Sequence, residues 1–315
     1  MNWFAQAPSN IALIKYMGKE DEEKNIPMNS SLSFTLNQLL SSVSLESHAY
    51  RNDLWEPLNI PGDKPFSLSV PAQSRYLLHL QRLKEHFNYT GGFIVRSSNN
   101  FPKSSGLASS ASSFAALTKC AALALSELTN KPLPSATELS ILSRQGSGSS
   151  CRSFFSPWAL WEGEGAHAID LPYKTLFHQA IIISHDEKDV SSKEAHQKIH
   201  TSSLFPARQR QASEHLKLLL AALDASDWKS CYEICWREFQ NMHALFATCD
   251  SPFSYITPRS QEVLQLLQEL WERENDGPIV TMDAGPNIHL LYRPDQTLLA
   301  QTFKQHHLIG NYDVI

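Results

Sequence analysis

The sequence predicts an α+β fold in two halves, on three observations. Segments of alternating polar and apolar residues dominate the first half. Helix-period apolar faces dominate the stretch beyond residue 180. The chain then closes on a strand, a tight turn and a second strand. The change of pattern places a boundary there, between residues 1–180 and 181–315.

In chain order, SLSFTL (31–36), SSVSLES (41–47) and GGFIVRSS (91–98) alternate as half-buried strands do. SRYLLHLQRLKEHF (74–87) reads as an amphipathic helix between them. Phe114, Leu117, Ala121, Leu125 and Leu128 recur at intervals of 3, 4, 4 and 3, one face of a further helix. LFHQAIIISH, after residue 174, has the run of a buried strand. Helices are predicted over 206–224, over 227–248 with Ser226 as N-cap, and over 259–274. In the second of these, Cys231, Cys235, Phe239, Met242 and Phe246 share a face, the pattern of core packing. PIVTMDAG and NIHLLYR form the closing strand, turn and strand.

Composition narrows the function. The chain is 42% apolar, with 27 Lys and Arg against 32 Asp and Glu, and no basic block of the kind a dedicated nucleic-acid binder carries. No apolar run approaches the roughly 18 residues of a membrane helix. The 5 cysteines (Cys120, Cys151, Cys231, Cys235, Cys249) follow no zinc spacing and suit a reducing compartment. Without a charged n-region leading an apolar h-region, a cytoplasmic protein is expected.

Four stretches carry candidate chemistry. FPKSSGLASSASSFAALTK (101–119) sets a glycine and short hydroxyls ahead of a helix. A helix start leaves N–H groups unpartnered and attracts anions, so the stretch suits a polyphosphate, or else the serines cap the helix themselves. SRQGSGSSCRS (143–153) interleaves Gly146 and Gly148 with serines between Arg144 and Arg152, donors for phosphate or carboxylate. In TMDAGPNIHLL (281–291), Asp283 ends a strand before a Gly285–Pro286 turn. It either organises that turn or aims a carboxylate into a cleft. Near the N-terminus, Lys15, Tyr16 and Lys19 form either a solvated rim or a holder for an anionic tail.

Together these stretches resemble the GHMP small-molecule kinase superfamily and, within it, the diphosphomevalonate decarboxylase family. Pro102 to Ala111 matches the superfamily pattern P-x-x-x-G-L-x-S-S-A. NIALIKYMGK, IPMNSSLS, RQGSGSSCRS and MDAGPN carry the likeness to the decarboxylases, and MDAGPN stands where the kinases have a glycine-rich motif. The resemblance implies a GHMP kinase fold, with an N-terminal half like ribosomal protein S5 domain 2 and a ferredoxin-like C-terminal half. It implies ATP with Mg²⁺, no resident metal, and a homodimer. The implied reaction is ATP-dependent decarboxylation of mevalonate 5-diphosphate to isopentenyl diphosphate, CO₂, ADP and phosphate, through phosphorylation at C3.

Residue by residue, it implies Asp283 and Arg152 as catalytic groups. Tyr16, Lys19, Ser147, Gly148, Ser149, Ser150, Cys151 and Ser192 would bind the substrate. Ser104, Ser105, Gly106, Leu107, Ala108, Ser109 and Ser110 would hold the ATP phosphates. The chain departs from the family pattern at Met17 (usually Trp), at Lys103 beside the phosphate loop, at FFSPW after CRS, and at Lys188, which stands alone where two basic residues are usual. The alternatives are a relative acting on mevalonate 5-phosphate, a 3-kinase that does not decarboxylate, and a non-catalytic nucleotide-binding homologue.

Overall fold

The structure is a computed structural model and describes residues 1–48, 50–60, 67–101, 109–186 and 188–315. Its first part runs β1 (Asn2–Ala12), β2 (Lys19–Asp21), β3 (Ile26–Pro27), β4 (Ser31–His48), β5 (Leu54–Pro57), α1 (Val70–Phe87), β6 (Gly92–Asn99), α2 (Ser109–Thr129), α3 (Ala136–Gly146), β7 (Trp158–Glu162) and β8 (Gly165–Ala168). There follow β9 (Phe177–Ile182), α4 (Ser192–Lys198), α5 (Phe205–Asp224), α6 (Trp228–Ala247), α7 (Pro258–Glu274), β10 (Ile279–Met282), β11 (Ile288–Tyr292), α8 (Thr297–Phe303) and β12 (Asp313–Val314).

β4 is the spine of a 6-stranded sheet, pairing antiparallel with β1, β6 and β7. The strands read at 31–36 and 41–47 are therefore one. Its register with β1 steps from Ser9 opposite Leu36 to Pro8 opposite Leu40, so residues 37–39 bulge and bend the strand. β1 itself does not alternate over its last residues, since Ser9 to Ala12 are all buried. A 4-stranded antiparallel sheet in the order β10-β11-β9-β12 builds the second half.

One face of the first sheet packs on α1 and α2 through Val43, Leu45, Phe93 and Val95 against Leu80, Leu83, Phe114 and Leu117. A second core runs through both halves. It joins Leu32, Phe34 and Trp158 to Leu216 and Leu219 of α5, Cys235 of α6 and Ile279 of β10. Each buried aliphatic there contributes about 1.5–3 kcal/mol, so the two sheets are held in one fixed relation. That relation sets the end of β1 against the end of β10.

The predicted face of α6 is buried at all its named positions. Its cap differs from the sequence reading. Ser226 has φ +56°, outside the extended range a capping residue needs, and Asp227 accepts the Ser230 N–H instead. All five cysteines are buried and free. No helix among the described residues is long and apolar enough to cross a membrane.

Candidate active site

A cavity of about 510 Å³ opens where the two halves meet. Lys15, Tyr16 and Lys19 reach it from beyond β1, Ser109 and Ser110 from the start of α2, and Ser147, Gly148, Ser149 and Arg152 from the segment after α3. Ser192 of α4 and Asp283 close it from the other half.

Lys15 is the residue that sequence reasoning undervalued. The run Ile11–Ile14 is fully buried or nearly so and carries the next residue inward, leaving Lys15 1% exposed rather than on a solvated rim. Its Nζ stands 2.6 Å from Asp283 Oδ1. Burial is the largest influence on Lys15 and lowers its pKa, against the pull of Asp283 and Glu238. Burial also acts on Asp283, upward, but Lys15, His289 and Arg152 outweigh it and hold the carboxyl below its ordinary range. The Asp283 side chain is still 29% exposed, so the carboxylate is anchored through one oxygen and open to the cavity. The Asp283 side chain follows the cleft reading and not the turn reading, and it is the backbone that meets the turn. Its backbone carbonyl accepts from Gly285 N–H and from His243 Nε2 at 2.8 and 3.1 Å, organising the turn, while its carboxylate faces inward.

Arg152 is held as rigidly. Nε donates to Asn10 Oδ1 and Nη1 to Ser31 Oγ, each at 3.1 Å, and the guanidinium carbon lies 5.6 Å from the Trp161 ring centre. Nη2 has no protein partner among the described residues and belongs to a cavity-lining side chain. Asn10, at the head of NIALIKYMGK, is thus a supporting residue not singled out by the sequence reading.

The two small-residue clusters come together. Ser147 Oγ lies 3.5 Å from Ser110 Oγ. Within the serine-rich helix start the serines divide by position, and none of those described caps the helix. Ser112 and Ser113 bond back to Ser41 and Asn99 of the sheet, whereas Ser109 and Ser110 line the cavity. Ser104, Ser105, Gly106, Leu107 and Ala108, with Lys103, lie outside the described residues.

The second cluster is no flexible loop. α3 ends at Gly146 and a 3-10 helix follows over Gly148–Phe154. Gly148 is needed for close approach, since a Cβ there would stand 2.8 Å from Tyr16 Cε1. Ser147, Gly148 and Ser149 line the cavity, but Ser150 and Cys151 lie behind its wall. Ser150 Oγ bonds to Ser147 O and Ser143 Oγ, each at 2.6 Å, and Cys151 packs on Trp161 and Ala166.

The Tyr16 ring is wedged between Trp161 and His196, and its hydroxyl is buried without a partner among the described residues. Lys19 pairs with Glu22 at 3.1 Å. Ser192 begins α4 just after the capping residue Ser191, and Lys188 donates to the Ala284 carbonyl. His196, also unread in the sequence, lines the cavity; its Nδ1 accepts the Gly18 N–H at 3.1 Å, and burial drives its pKa down to about 3.

Hydroxyls at a helix start, a fixed guanidinium and a carboxylate facing one cavity, set between two α+β halves, define a small-molecule phosphotransferase of the GHMP kinase type. Comparison with known proteins narrows this. A model of the diphosphomevalonate decarboxylase-like N-terminal domain matches residues 7–170, and one of the mevalonate 5-diphosphate decarboxylase C-terminal domain matches residues 180–310. The chain belongs to the diphosphomevalonate decarboxylase family.

Among its relatives, the diphosphomevalonate decarboxylase of Debaryomyces hansenii is 31% identical, over 92% of this chain and 79% of the relative. The solved structure of a mevalonate diphosphate decarboxylase from Legionella pneumophila is 62% identical, with a TM-score of 0.95 over 100% of both chains. A structure described as MDDEF in complex with MVAPP, AMPPCP and magnesium is 30% identical, with a TM-score of 0.87 over 100% of this chain and 96% of that one.

Proposed function

We propose that the chain converts mevalonate 5-diphosphate and ATP to isopentenyl diphosphate, CO₂, ADP and phosphate. The observation that carries the reading is the convergence of Lys15–Asp283, Arg152 and Ser109–Ser110 on one cavity. The relatives' names and the ligands of the solved complex support the substrate, the nucleotide and Mg²⁺.

The substrate's tertiary C3 hydroxyl is a poor leaving group, so phosphorylation comes first. Asp283 is held ionised and is therefore a weak base. That suits a loose phosphoryl transfer, in which the hydroxyl needs orienting by the open carboxylate oxygen and sheds its proton late. Lys15 fixes the carboxylate and offsets the negative charge gathering beside it. Ser109 and Ser110 suit the triphosphate as hydroxyl donors at a helix start, and Mg²⁺, which commonly binds through substrate phosphates, needs few protein ligands beside them. Bound there, Mg²⁺ would spread the charge of the transferring group.

Phosphate then leaves with the C3–O electron pair. The bond to the carboxylate breaks, its electrons form the C=C bond, and CO₂ departs. The unpartnered Nη2 of Arg152 would hold that carboxylate across the plane of elimination. The diphosphate tail would lie against Lys19, Ser192 and Ser147–Ser149. The buried, unpartnered Tyr16 hydroxyl is a donor such a tail could satisfy.

The division at residue 180 into an N-terminal and a C-terminal domain, a cytoplasmic location and a homodimer belong to the same reading. The matched ranges of the two family models support the division. Sedimentation of the purified chain tests the dimer.

Purified protein incubated with Mg·ATP and either mevalonate 5-diphosphate or mevalonate 5-phosphate tests the reaction. Equal ADP and CO₂ from the diphosphate is expected. ADP without CO₂ would make it a 3-kinase, turnover of the monophosphate alone would change the substrate, and no turnover would leave a binding protein.

A further inference from the structure

Arg208 of α5 and Glu238 of α6 form an ion pair outside the cavity, with 1% and 0% of their side chains exposed. Two charges so deeply buried cost several kcal/mol each in lost hydration unless every valence is used. Most of theirs are. Glu238 Oε1 accepts from Arg208 Nη2 at 2.5 Å and from the Lys15 backbone N–H at 2.9 Å. Arg208 Nη2 also donates to the Lys15 carbonyl at 2.9 Å. The outer valences go to His215 Nδ1, 2.6 Å from Glu238 Oε2, and to Asn241 Oδ1, 2.8 Å from Arg208 Nη1.

The pair therefore grips both backbone groups of one residue, and that residue lies beyond the end of β1, where the strand ladder has stopped supplying partners. Asn29 Nδ2 adds a further bond to the same carbonyl at 3.0 Å. We propose that the Arg208–Glu238 pair is the positioning element for Lys15, fixing its backbone so that its ammonium meets Asp283. Neither residue lines the cavity, so both act through Lys15. Two helices of the C-terminal half thereby aim a cation contributed by the N-terminal half. The proposal rests on the reading that Lys15 and Asp283 serve the reaction.

A buried pair can often be replaced by apolar residues of similar volume without loss of stability, which gives a clean test. The double variant Arg208→Met/Glu238→Leu removes both grips on Lys15. It is assayed in the wild-type and Lys15→Met backgrounds, beside thermal melts. An ångström of misplacement in a reacting group costs about 10²-fold, so kcat should fall by about that factor with melting preserved. KM for ATP should change less than about threefold. In the Lys15→Met background the further loss should shrink below about threefold, because the group being aimed has gone. An equal loss in both backgrounds, or none in either, overturns the proposal.

If the double variant does not fold, the same cycle run with Arg208→Lys decides, since it keeps the charge of the pair and removes the Nη2–H that donates to the Lys15 carbonyl. A crystal structure of the folded variant judges the proposal apart from activity. Lys15 Nζ is expected to leave Asp283, and the 2.6 Å contact retained would overturn it. Wild-type protein without turnover would instead defeat the functional reading, with the crystallographic comparison still standing.

Discussion

Lys15 and Asp283, 268 residues apart in the chain, meet at 2.6 Å in the wall of one cavity, each supplied by a different half of the fold. The contact leaves the Asp283 carboxylate ionised, anchored through one oxygen and open on the other side. Those properties suit a group that orients a hydroxyl rather than strips it.

Asp283→Asn keeps the shape and removes the charge. It should lower kcat by about 10²- to 10⁴-fold while nucleotide affinity, measured by calorimetry, stays near wild type. Unchanged turnover would remove Asp283 from the chemistry.

Activity should fail on the alkaline side. Burial lowers the pKa of Lys15 from 10.5, with Arg152 adding to it and Asp283 and Glu238 opposing; His243, driven by burial to about 4, is neutral there. As pH rises through this lowered value Lys15 loses its charge, so kcat should decline below pH 10.5. Asp283 contributes no acid limb above its ordinary value of 3.8. Lys15→Arg, which cannot deprotonate, should extend the plateau if it retains activity. A wild-type profile flat through pH 10.5 contradicts the assignment.

Arg152→Lys should not restore function. The guanidinium is fixed through Nε and Nη1 with Nη2 left over, and an ammonium cannot make all three bonds in that plane. A loss of about 10²-fold in kcat is expected, measured by CO₂ release.

Gly148→Ala places a methyl 2.8 Å from Tyr16 Cε1 and 2.9 Å from its hydroxyl. The ring must move away from Trp161 or His196. KM for the diphosphate substrate should rise about tenfold with little change in the melting temperature. An unchanged KM would show that Tyr16 does not shape the substrate end.

Much of this was legible beforehand. The helices at α2, α5, α6 and α7 follow from apolar periodicity, and the presence of Asp283 and Arg152 in the cavity wall agrees with the family resemblance, which alone implied their roles. What escaped has physical causes. β1 is buried on both faces at its end, so it does not alternate. Lys15 sits between a buried apolar run and the charged stretch that begins at Lys19, and composition cannot say which environment wins. Arg208 and Glu238 look like ordinary helix charges until α5 and α6 pack together. The α6 cap depended on the backbone angle of Ser226, which residue identity does not set.

Acid should destabilise the fold. Burial, with added repulsion from neighbouring cations, drives His79 and His196 down to about 3 and His243 to about 4, so all three are neutral when folded and charge more readily when unfolded. Between the unfolded value of 6.5 and these folded values the unfolded chain binds more protons, so stability falls as pH drops. The loss is on the order of 1.4 kcal/mol per histidine per pH unit, read by melts from pH 7 to 4. A melting temperature constant over that range contradicts it.

The most direct measurement is a crystal structure with mevalonate 5-diphosphate and a non-hydrolysable ATP analogue bound together. The account predicts the C3 hydroxyl within hydrogen-bond distance of the free Asp283 oxygen, the substrate carboxylate on Arg152 and the triphosphate at the start of α2. A C3 hydroxyl turned away from Asp283, with the nucleotide elsewhere, would contradict it.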